Sequence, residues 1–415
     1  MVGQRIRYYR KVKGLTLEEL SQGICSVSYL SKIEKAGAKS SDEVIIQLCE
    51  RLGISPEEAD NKEILDMLNE WNMMMVNRKM DEATKFHSEI QRKINSVIDP
   101  EVLSLYDLFL LRFYLMNEQI NESEELIEKL KKFQDDFNNK LKFYFNFFMC
   151  LYYNFKKEYK KSLASLHEAK AIYKEVGLNE LEKAVFYYLM ALTYSYLSRI
   201  SPVNNYANKA LIIFDKEYSY SRSADCHILL AISNRRISNY DAAEYHLNQA
   251  LKYSESFNDT FLCGVCYNNL GYVASCKKEH EKAINYYKKS LAFKIDQPDI
   301  NKLGTKFLLT KEYIEINKIE EAKNLLDEEI NGILNSPKNE FYYHFLILKY
   351  KLQNKFTKKF EQLLKEAIPF FEKQHIWDYV AMYSELLADY YYELSQYKSS
   401  SKYYRIANNA RKNIY

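Results

Sequence analysis

A self-similarity of about 40 residues constrains the fold of this chain more than any other feature, because that period is the length of a two-helix repeat. Residues of one segment correspond to residues at the same spacing in the next: Ala231, Tyr240, Ala243 and Ala250 correspond to Gly271, His280, Ala283 and Ser290. Small side chains at such positions allow two helices to approach closely. The pattern therefore predicts an array of helical hairpins.

Composition and chain breaks extend this prediction to most of the 415 residues. Only 10 Gly and 6 Pro are present, too few for the tight turns of a β-rich chain, so the predicted fold class is all-α. Leu270, Gly271 and Ala283 match the tetratricopeptide pattern, which predicts a right-handed superhelix with a concave surface. The breaks predict about nine hairpins, at 61–97, 101–137, 141–176, 179–216, 218–257, 260–296, 300–333, 340–373 and 376–413.

The first 60 residues form a separate basic head in this interpretation, and residues 61–415 form the repeat domain. Residues 1–39 hold eight Lys and Arg against three Glu, a net charge of +5 that favours phosphate contacts. Thr16 and Glu19 have the spacing of a capping box, Gly23 supplies a turn and Ser26 caps the next helix. Two short helices around a Gly turn predict a helix-turn-helix that binds duplex DNA.

The second helix of such a motif lies in the major groove, and its outward side chains contact base edges. The predicted base contacts are Val27, Ser28, Tyr29 and Lys32. The predicted phosphate contacts are Arg5, Arg7, Lys35 and Lys39.

The repeat register also predicts which side chains line the concave groove. With Gly271 as the eighth residue of its repeat, Asn268, Asn269, Tyr272 and Ser275 face or border the groove. Two adjacent carboxamides each offer a donor and an acceptor, which suits the backbone of an extended peptide. Further candidates are Arg112, Tyr188, Arg235, Arg236 and Lys311, with acidic Glu385 and Asp389 in the last repeat. Alternatively, Asn268 bonds within its own helix pair and the Arg residues are solvated.

No constellation of residues predicts catalysis or a metal site, so we expect a binding protein without a cofactor. Cys263 and Cys266 form a CxxC motif, but no second CxxC and no His pair with ligand spacing accompany it. The seven scattered Cys and the absence of a secretory segment predict reduced thiols and a cytoplasmic location. The longest apolar run, 143–153, is too short to cross a membrane.

The head segment RIRYYRKVKGLTLEEL...SVSYLSKIEKA resembles the Xre/Cro family of repressors. The resemblance implies a fourth helix over 41–54 and a structural ion pair between Arg10 and Glu34. Leu17 departs from the family, which often has a phosphate-binding Gln at that position.

An Xre-type head followed by tetratricopeptide repeats resembles the peptide-sensing regulators of Gram-positive bacteria, the Rap/Rgg/NprR/PlcR/PrgX family, and most resembles its NprR members. The resemblance implies a short signalling peptide as ligand, with Asn269 holding its backbone, a dimer or tetramer as the functional form, and transcriptional control of exoenzyme or stationary-phase genes. It also implies a second partner for NprR-like members, a sporulation response regulator.

Three hypotheses remain open at this point. In the first, the peptide changes the curvature of the array, and thereby the oligomeric state or the spacing of two heads on promoter DNA. In the second, the chain is a Rap-like inhibitor or phosphatase of a response-regulator phosphotransferase. In the third, the groove is a general scaffold for a protein tail.

Overall fold

The computed structural model describes residues 2–35, 41–56, 61–333, 338–353 and 357–413. These residues form helices and no strand, which confirms the predicted all-α class. The chain divides into two compact units, Met1–Glu182 and Lys183–Tyr415. The predicted domain boundary after residue 60 adjoins the undescribed segment 57–60 and stays a prediction.

The head is a four-helix domain at the start of the first unit. A capping box of Thr16 and Glu19 begins its second helix, and the Ser26 hydroxyl accepts a bond from the Tyr29 amide at the start of the third. Gly3 allows the first helix to approach the backbone of Ile33 so closely that a Cβ atom would overlap the Ile33 carbonyl. The helices are α1 (Val2–Val12), α2 (Leu17–Ser21), α3 (Val27–Glu34) and α4 (Asp42–Leu52).

Three hairpins complete the first unit. Their helices are α5 (Lys62–Val76), α6 (Met80–Ile94), α7 (Pro100–Met116), α8 (Ile120–Lys131), α9 (Asn139–Phe155) and α10 (Tyr159–Ile172). Short 3₁₀ segments follow α8 and α10, at Gln134–Asp136 and Tyr173–Glu175. Large buried aromatic side chains, including Trp71, Phe109 and Phe148, fill the spaces between these helices.

Six more hairpins follow, so the described residues contain the nine that the sequence predicts. The first of them begins at the end of the first unit, because α11 contains the unit boundary. The helices are α11 (Glu180–Tyr196), α12 (Ile200–Lys216), α13 (Tyr220–Arg236), α14 (Tyr240–Ser256), α15 (Thr260–Cys276), α16 (His280–Phe293), α17 (Ile300–Glu315), α18 (Ile319–Ile333), α19 (Glu340–Leu352), α20 (Lys358–Lys373), α21 (Trp377–Glu393) and α22 (Tyr397–Lys412).

Small residues hold the helices of a hairpin together, as the period predicts. Ala231, Ala243 and Ala250 are at most 1% exposed. Gly271 faces the ring of Tyr287, and a Cβ atom at this position would lie 2.5 Å from the ring atom Cε1. Any larger residue would force the fully buried Tyr287 ring to move, which in a close-packed core is costly, so this position favours Gly.

Three-residue turns with a left-handed central residue connect many of the helices. In the turn from α13 to α14, Ser238 has a φ of 60°, and its amide donates to the Arg235 carbonyl. The next amide, of Asn239, donates to the Asn234 carbonyl, which completes a Schellman motif. The left-handed central residues of these three-residue turns are Arg78, Glu118, Lys157, Ser198, Tyr218, Ser238, Asn258, Lys278, Asn317, His375 and Ser395. None of them is Gly, although Gly is the residue that adopts this conformation most easily.

Candidate functional sites

The third helix of the head presents an exposed face. Val27, Ser28 and Lys32 are exposed on α3, as expected for side chains that reach base edges. The fourth predicted base contact, Tyr29, is partly buried and packs against the core of the head. The outward surface of α3 is thus built mainly from the other three residues.

Two arginines of α1 stabilise the head from within. The Arg10 guanidinium donates to both carboxylate oxygens of Glu34, at 2.7 and 2.8 Å, which confirms the predicted ion pair. Arg5 was predicted to contact phosphate, and this prediction is wrong for the described structure. Its side chain is 5% exposed, and its Nη2 atom donates to the Pro56 carbonyl at 2.8 Å. Arg5 therefore connects α1 to the segment after α4.

The remaining basic side chains of α1 contact the array of the first unit. Arg7 and Lys11 lie one turn apart on α1 and form ion pairs with opposite oxygens of Asp136, at 2.7 and 2.6 Å. The Tyr8 ring packs on Phe133, with ring centroids 4.8 Å apart. Of the other predicted phosphate contacts, exposed Lys35 lines a cavity of about 340 Å³ beside Arg7, and Lys39 lies outside the described residues.

Arg112 was predicted to lie near the groove surface, but it is buried inside the first unit, 3% exposed. Its Nη1 atom donates to the Asn72 side-chain oxygen at 2.7 Å, and Asn72 donates to Glu182 at 2.7 Å. The Tyr144 hydroxyl donates to the same Glu182 oxygen. Burial lowers the pKa of Arg112 to about 10, and the Glu182 carboxylate opposes this shift. The prediction failed because the repeat period shows on which face of its helix Arg112 lies, but not which other helices pack against that face.

The two carboxamides Asn268 and Asn269 lie partly buried on α15 and differ in the groups they leave available. The Asn268 oxygen accepts a bond from the Thr305 hydroxyl at 2.8 Å, which leaves its amide protons as donors. Asn269 donates its own amide to the Val265 carbonyl at 2.9 Å, one turn earlier, which leaves its oxygen as an acceptor. Within the described residues, the Asn268 amide and the Asn269 oxygen are therefore the two groups of the pair that form no hydrogen bond.

Arginine and aromatic side chains lie on α13 and α15 of the second unit, in the hairpin before these carboxamides and on their own helix. The Arg235 guanidinium stacks over the Tyr272 ring, 4.1 Å from its centroid. Arg236 donates to the Ser195 carbonyl at 2.6 Å. Burial of the guanidinium and the charge of Arg235 lower the pKa of Arg236, whereas the Asp378 carboxylate acts in the opposite direction.

Two residues of α21 near this cluster were missed by the sequence analysis. Asp378 acts electrostatically on Arg236, and the Tyr272 hydroxyl contributes to raising the pKa of Tyr379, after the larger effect of burial. The sequence gives no signal for these contacts, because α13 and α21 are separated by more than three hairpins. Tyr188, another predicted groove residue, is partly buried on α11.

Polar side chains continue from this cluster along α15 and α17. The Ser275 hydroxyl donates to buried Glu312 at 2.6 Å, and His280 Nδ1 lies 2.7 Å from the second Glu312 oxygen. The Lys311 ammonium lies over the Phe307 ring, 5.8 Å from its centroid.

The acidic residues predicted for the last hairpin are bonded within that hairpin. Glu385 forms an ion pair with Arg411, and Asp389 accepts a bond from the Tyr404 hydroxyl. Arg411 offsets the negative charge of Glu385, and Tyr404 occupies one oxygen of Asp389.

The CxxC cysteines are buried side chains of α15. Burial raises the pKa of Cys263 to about 11 and that of Cys266 to about 12, so both thiols are protonated at neutral pH. No group of three or more potential metal-ligating His, Cys, Asp or Glu side chains occurs in the described part of the chain.

Comparison with known proteins identifies both parts of this architecture. Residues 6–58 match a helix-turn-helix family, and residues 224–296 match a tetratricopeptide-repeat family. The chain is 35% identical over 405 residues to the transcriptional activator NprA of Geobacillus stearothermophilus, covering 95% of this chain and 99% of NprA. The chain belongs to the NprA family. These are the helix-turn-helix and tetratricopeptide quorum-sensing regulators that the resemblance predicts.

Other relatives place the NprA family beside the Rap proteins. A crystal structure of NprR in complex with its cognate peptide NprX is 25% identical with a TM-score of 0.70, over 86% of this chain and 100% of that one. Response regulator aspartate phosphatase I of Bacillus subtilis is 26% identical over 84% of this chain and 90% of its own length. The match to NprA is thus stronger in sequence than the match to this phosphatase.

None of the helices among the described residues has both the length and the apolar character needed to cross a membrane.

Proposed function

We propose that this chain regulates transcription by binding promoter DNA through its head and a short signalling peptide through the groove of its repeats. The complementary pair Asn268 and Asn269 is the observation that carries the peptide part of the proposal. The proposal is supported by membership of the NprA family and by the likeness to NprR with its bound peptide.

The carboxamide pair suits the backbone of an extended peptide. A peptide carbonyl accepts from the Asn268 amide, and a peptide N–H donates to the Asn269 oxygen. Backbone recognition of this kind gives affinity without specifying side chains. Arg235 and Tyr272 lie close by on α13 and α15 and supply side-chain contacts.

The head binds DNA through α3 in this proposal. Ser28 and Lys32 face base edges in the major groove, and Val27 contacts a thymine methyl. A homodimer or tetramer then reads two half-sites whose separation matches that of its heads.

The peptide acts by changing the curvature of the array, because small rotations at successive hairpins add up. This mechanism requires that the peptide bind two states of the protein with different affinity. The head spacing or the oligomeric state changes as a result, and with it the affinity for DNA.

One experiment tests both ligands. Duplexes selected from a random library by the full-length protein are titrated with and without synthetic peptides, while sedimentation reports the oligomeric state. Lys32→Ala is expected to weaken binding by about 1 to 3 kcal/mol, whereas Lys85→Ala, on exposed α6 surface, leaves it unchanged. Identical DNA affinity and oligomeric state across the whole peptide panel would contradict the switch.

A second candidate function follows from the likeness to response regulator aspartate phosphatase I. The peptide-free protein would then inhibit or dephosphorylate a response-regulator phosphotransferase. A faster loss of phosphate from a phosphorylated receiver domain supports it, and an unchanged rate together with no binding dismisses it.

A further inference from the structure

A buried lysine stands behind the Asn268 carboxamide. Lys294 follows α16 and is 7% exposed, and its Nζ atom donates to the Thr305 hydroxyl oxygen at 2.9 Å. That hydroxyl donates in turn to the Asn268 oxygen at 2.8 Å. Because an ammonium only donates, the bonds run in one direction, from the cation through Thr305 to Asn268, and the Asn268 amide protons form the end of the chain.

The backbone makes room for this lysine at a glycine. A Cβ atom on Gly264 would lie 3.0 Å from Cγ of Lys294 and 3.3 Å from its Cε atom. The lysine stem therefore crosses α15 at the position where that helix has no side chain. Gly264 and Lys294 together bring an ammonium to Thr305, which is 1% exposed on α17.

Lys294 has no carboxylate partner in the described part of the chain. Burial lowers its pKa, because the charged form loses hydration without gaining a counter-ion. A buried cation with only a neutral partner is costly, which makes its surroundings a candidate site for a ligand that supplies the missing negative charge.

We propose that Lys294, Thr305 and Asn268 form a carboxylate subsite of the groove, which binds an acidic side chain or the C-terminal carboxylate of the ligand. This inference rests on the proposed peptide function. The carboxylate accepts a hydrogen bond from the Asn268 amide. The Lys294 ammonium polarises the Thr305 hydroxyl, which in turn polarises the Asn268 carboxamide and strengthens this bond. The Asn268 amide has two protons, so one can bind this carboxylate and the other a backbone carbonyl, while Asn269 accepts from a backbone N–H.

The test uses a positional library of heptapeptides, each made with a free and with an amidated C-terminus, on full-length protein. The wild type is expected to prefer an acidic residue at one position, or the free C-terminus, and these two results distinguish the source of the carboxylate. Lys294→Met is expected to lower affinity for the preferred peptides about tenfold, with little effect on neutral ones. Lys288→Met, which removes the same charge from an exposed position of α16, is the matched control.

Two further measurements separate the subsite from folding. Lys294→Met is expected to keep or raise the melting temperature, because it removes an uncompensated buried charge. Thr305→Val keeps the lysine but interrupts the chain of bonds, and it is expected to reduce the same preference. Equal selectivity in the wild type and both variants overturns the subsite, as does an equal loss in Lys288→Met. If the wild type retains no peptide at all, the proposed function fails instead.

Discussion

The imidazole of His344 is enclosed by aromatic rings and has a single hydrogen-bond partner among the described residues, the Tyr383 hydroxyl. Its ring stacks on Phe307 and Phe371, with centroids 4.6 and 5.0 Å away. Burial lowers the pKa of His344 to about 3, and the charge of Lys311 adds to this shift. The side chain is therefore neutral in the folded protein throughout the physiological pH range.

This burial predicts acid sensitivity. The unfolded chain takes up a proton near pH 6.5 and the folded chain does not, so stability is full above pH 6.5 and is lost as the pH falls towards 3. His344→Phe is expected to lessen this loss by about 1.4 kcal/mol per pH unit. At pH 7 the variant is expected to be less stable by about 1 to 3 kcal/mol, because Tyr383 loses its partner.

Urea unfolding at pH 7 and pH 5 measures both effects. His375→Asn, in an exposed turn, is the control and is expected to keep the wild-type pH dependence. The same dependence in His344→Phe would show that other groups cause the acid sensitivity.

The hydrogen-bond partners of some polar residues can be predicted from the sequence, and those of others cannot. Arg10 and Glu34 could be paired because a family motif fixes both positions. The positions of Arg112 and Arg5 could not be predicted, because these side chains bond to Asn72 and Pro56, about 40 and 50 residues away along the chain. Asn268 was expected to offer both a donor and an acceptor to a ligand, and the Thr305 hydroxyl already occupies one of the two acceptor sites of its oxygen.

At the level of helices and turns, the period of about 40 residues and the chain breaks together predicted about nine hairpins, and the described residues contain nine. The geometry of the turns was less predictable. Gly and Pro are the usual signals, whereas the left-handed positions of the three-residue turns hold charged, polar or aromatic residues such as Glu118 and Tyr218. The carbonyl groups at the end of the preceding helix impose this conformation through the Schellman bonds.

Such a turn predicts a stabilising substitution. Lys278 has a φ of 61° between α15 and α16 and is exposed. Lys278→Gly is expected to stabilise the second unit by about 1 kcal/mol, because it removes the steric cost of a Cβ atom in the left-handed region.

Lys278→Ala is the matched control, since it removes the same charge but keeps the Cβ atom. Thermal unfolding should show a rise in melting temperature for the Gly variant alone. An equal rise in both variants would mean that charge, and not backbone conformation, limits stability at this turn.

On the scale of the whole molecule, the chain contains a head and three hairpins in its first unit, and the Asn268 pair in its second. The head is bound to its own unit by Asp136, which holds Arg7 and Lys11, and by the Tyr8 and Phe133 rings. Sequence periodicity cannot predict such a contact, because the partners lie more than 100 residues apart.

We expect the protein to bind DNA more tightly when this contact between the head and Asp136 is removed. Asp136 neutralises two cations that DNA phosphates also attract, so Asp136→Asn is expected to bind a random 30-base-pair duplex two- to tenfold, roughly, more tightly at low salt. Asp135→Asn makes the same charge change at the neighbouring exposed position. Fluorescence anisotropy of the labelled duplex measures the difference between the two variants.

Tyr8→Ser weakens the same contact without changing the charge, and it is expected to shift affinity in the same direction. Equal affinities for Asp136→Asn and Asp135→Asn would attribute the gain to net charge. Weaker binding by Asp136→Asn would mean that the contact holds the head in its binding orientation.

The unequal carboxamides on α15 have one more consequence. A peptide backbone has a direction, and a site with an unused donor group at Asn268 and an unused acceptor group at Asn269 favours carbonyl and N–H groups in one order. A peptide with the same residues in reverse order would lose either its backbone hydrogen bonds or its side-chain contacts. The groove would then bind a peptide more tightly than the peptide of reversed sequence, so its affinity would depend on the order of the residues as well as on their composition.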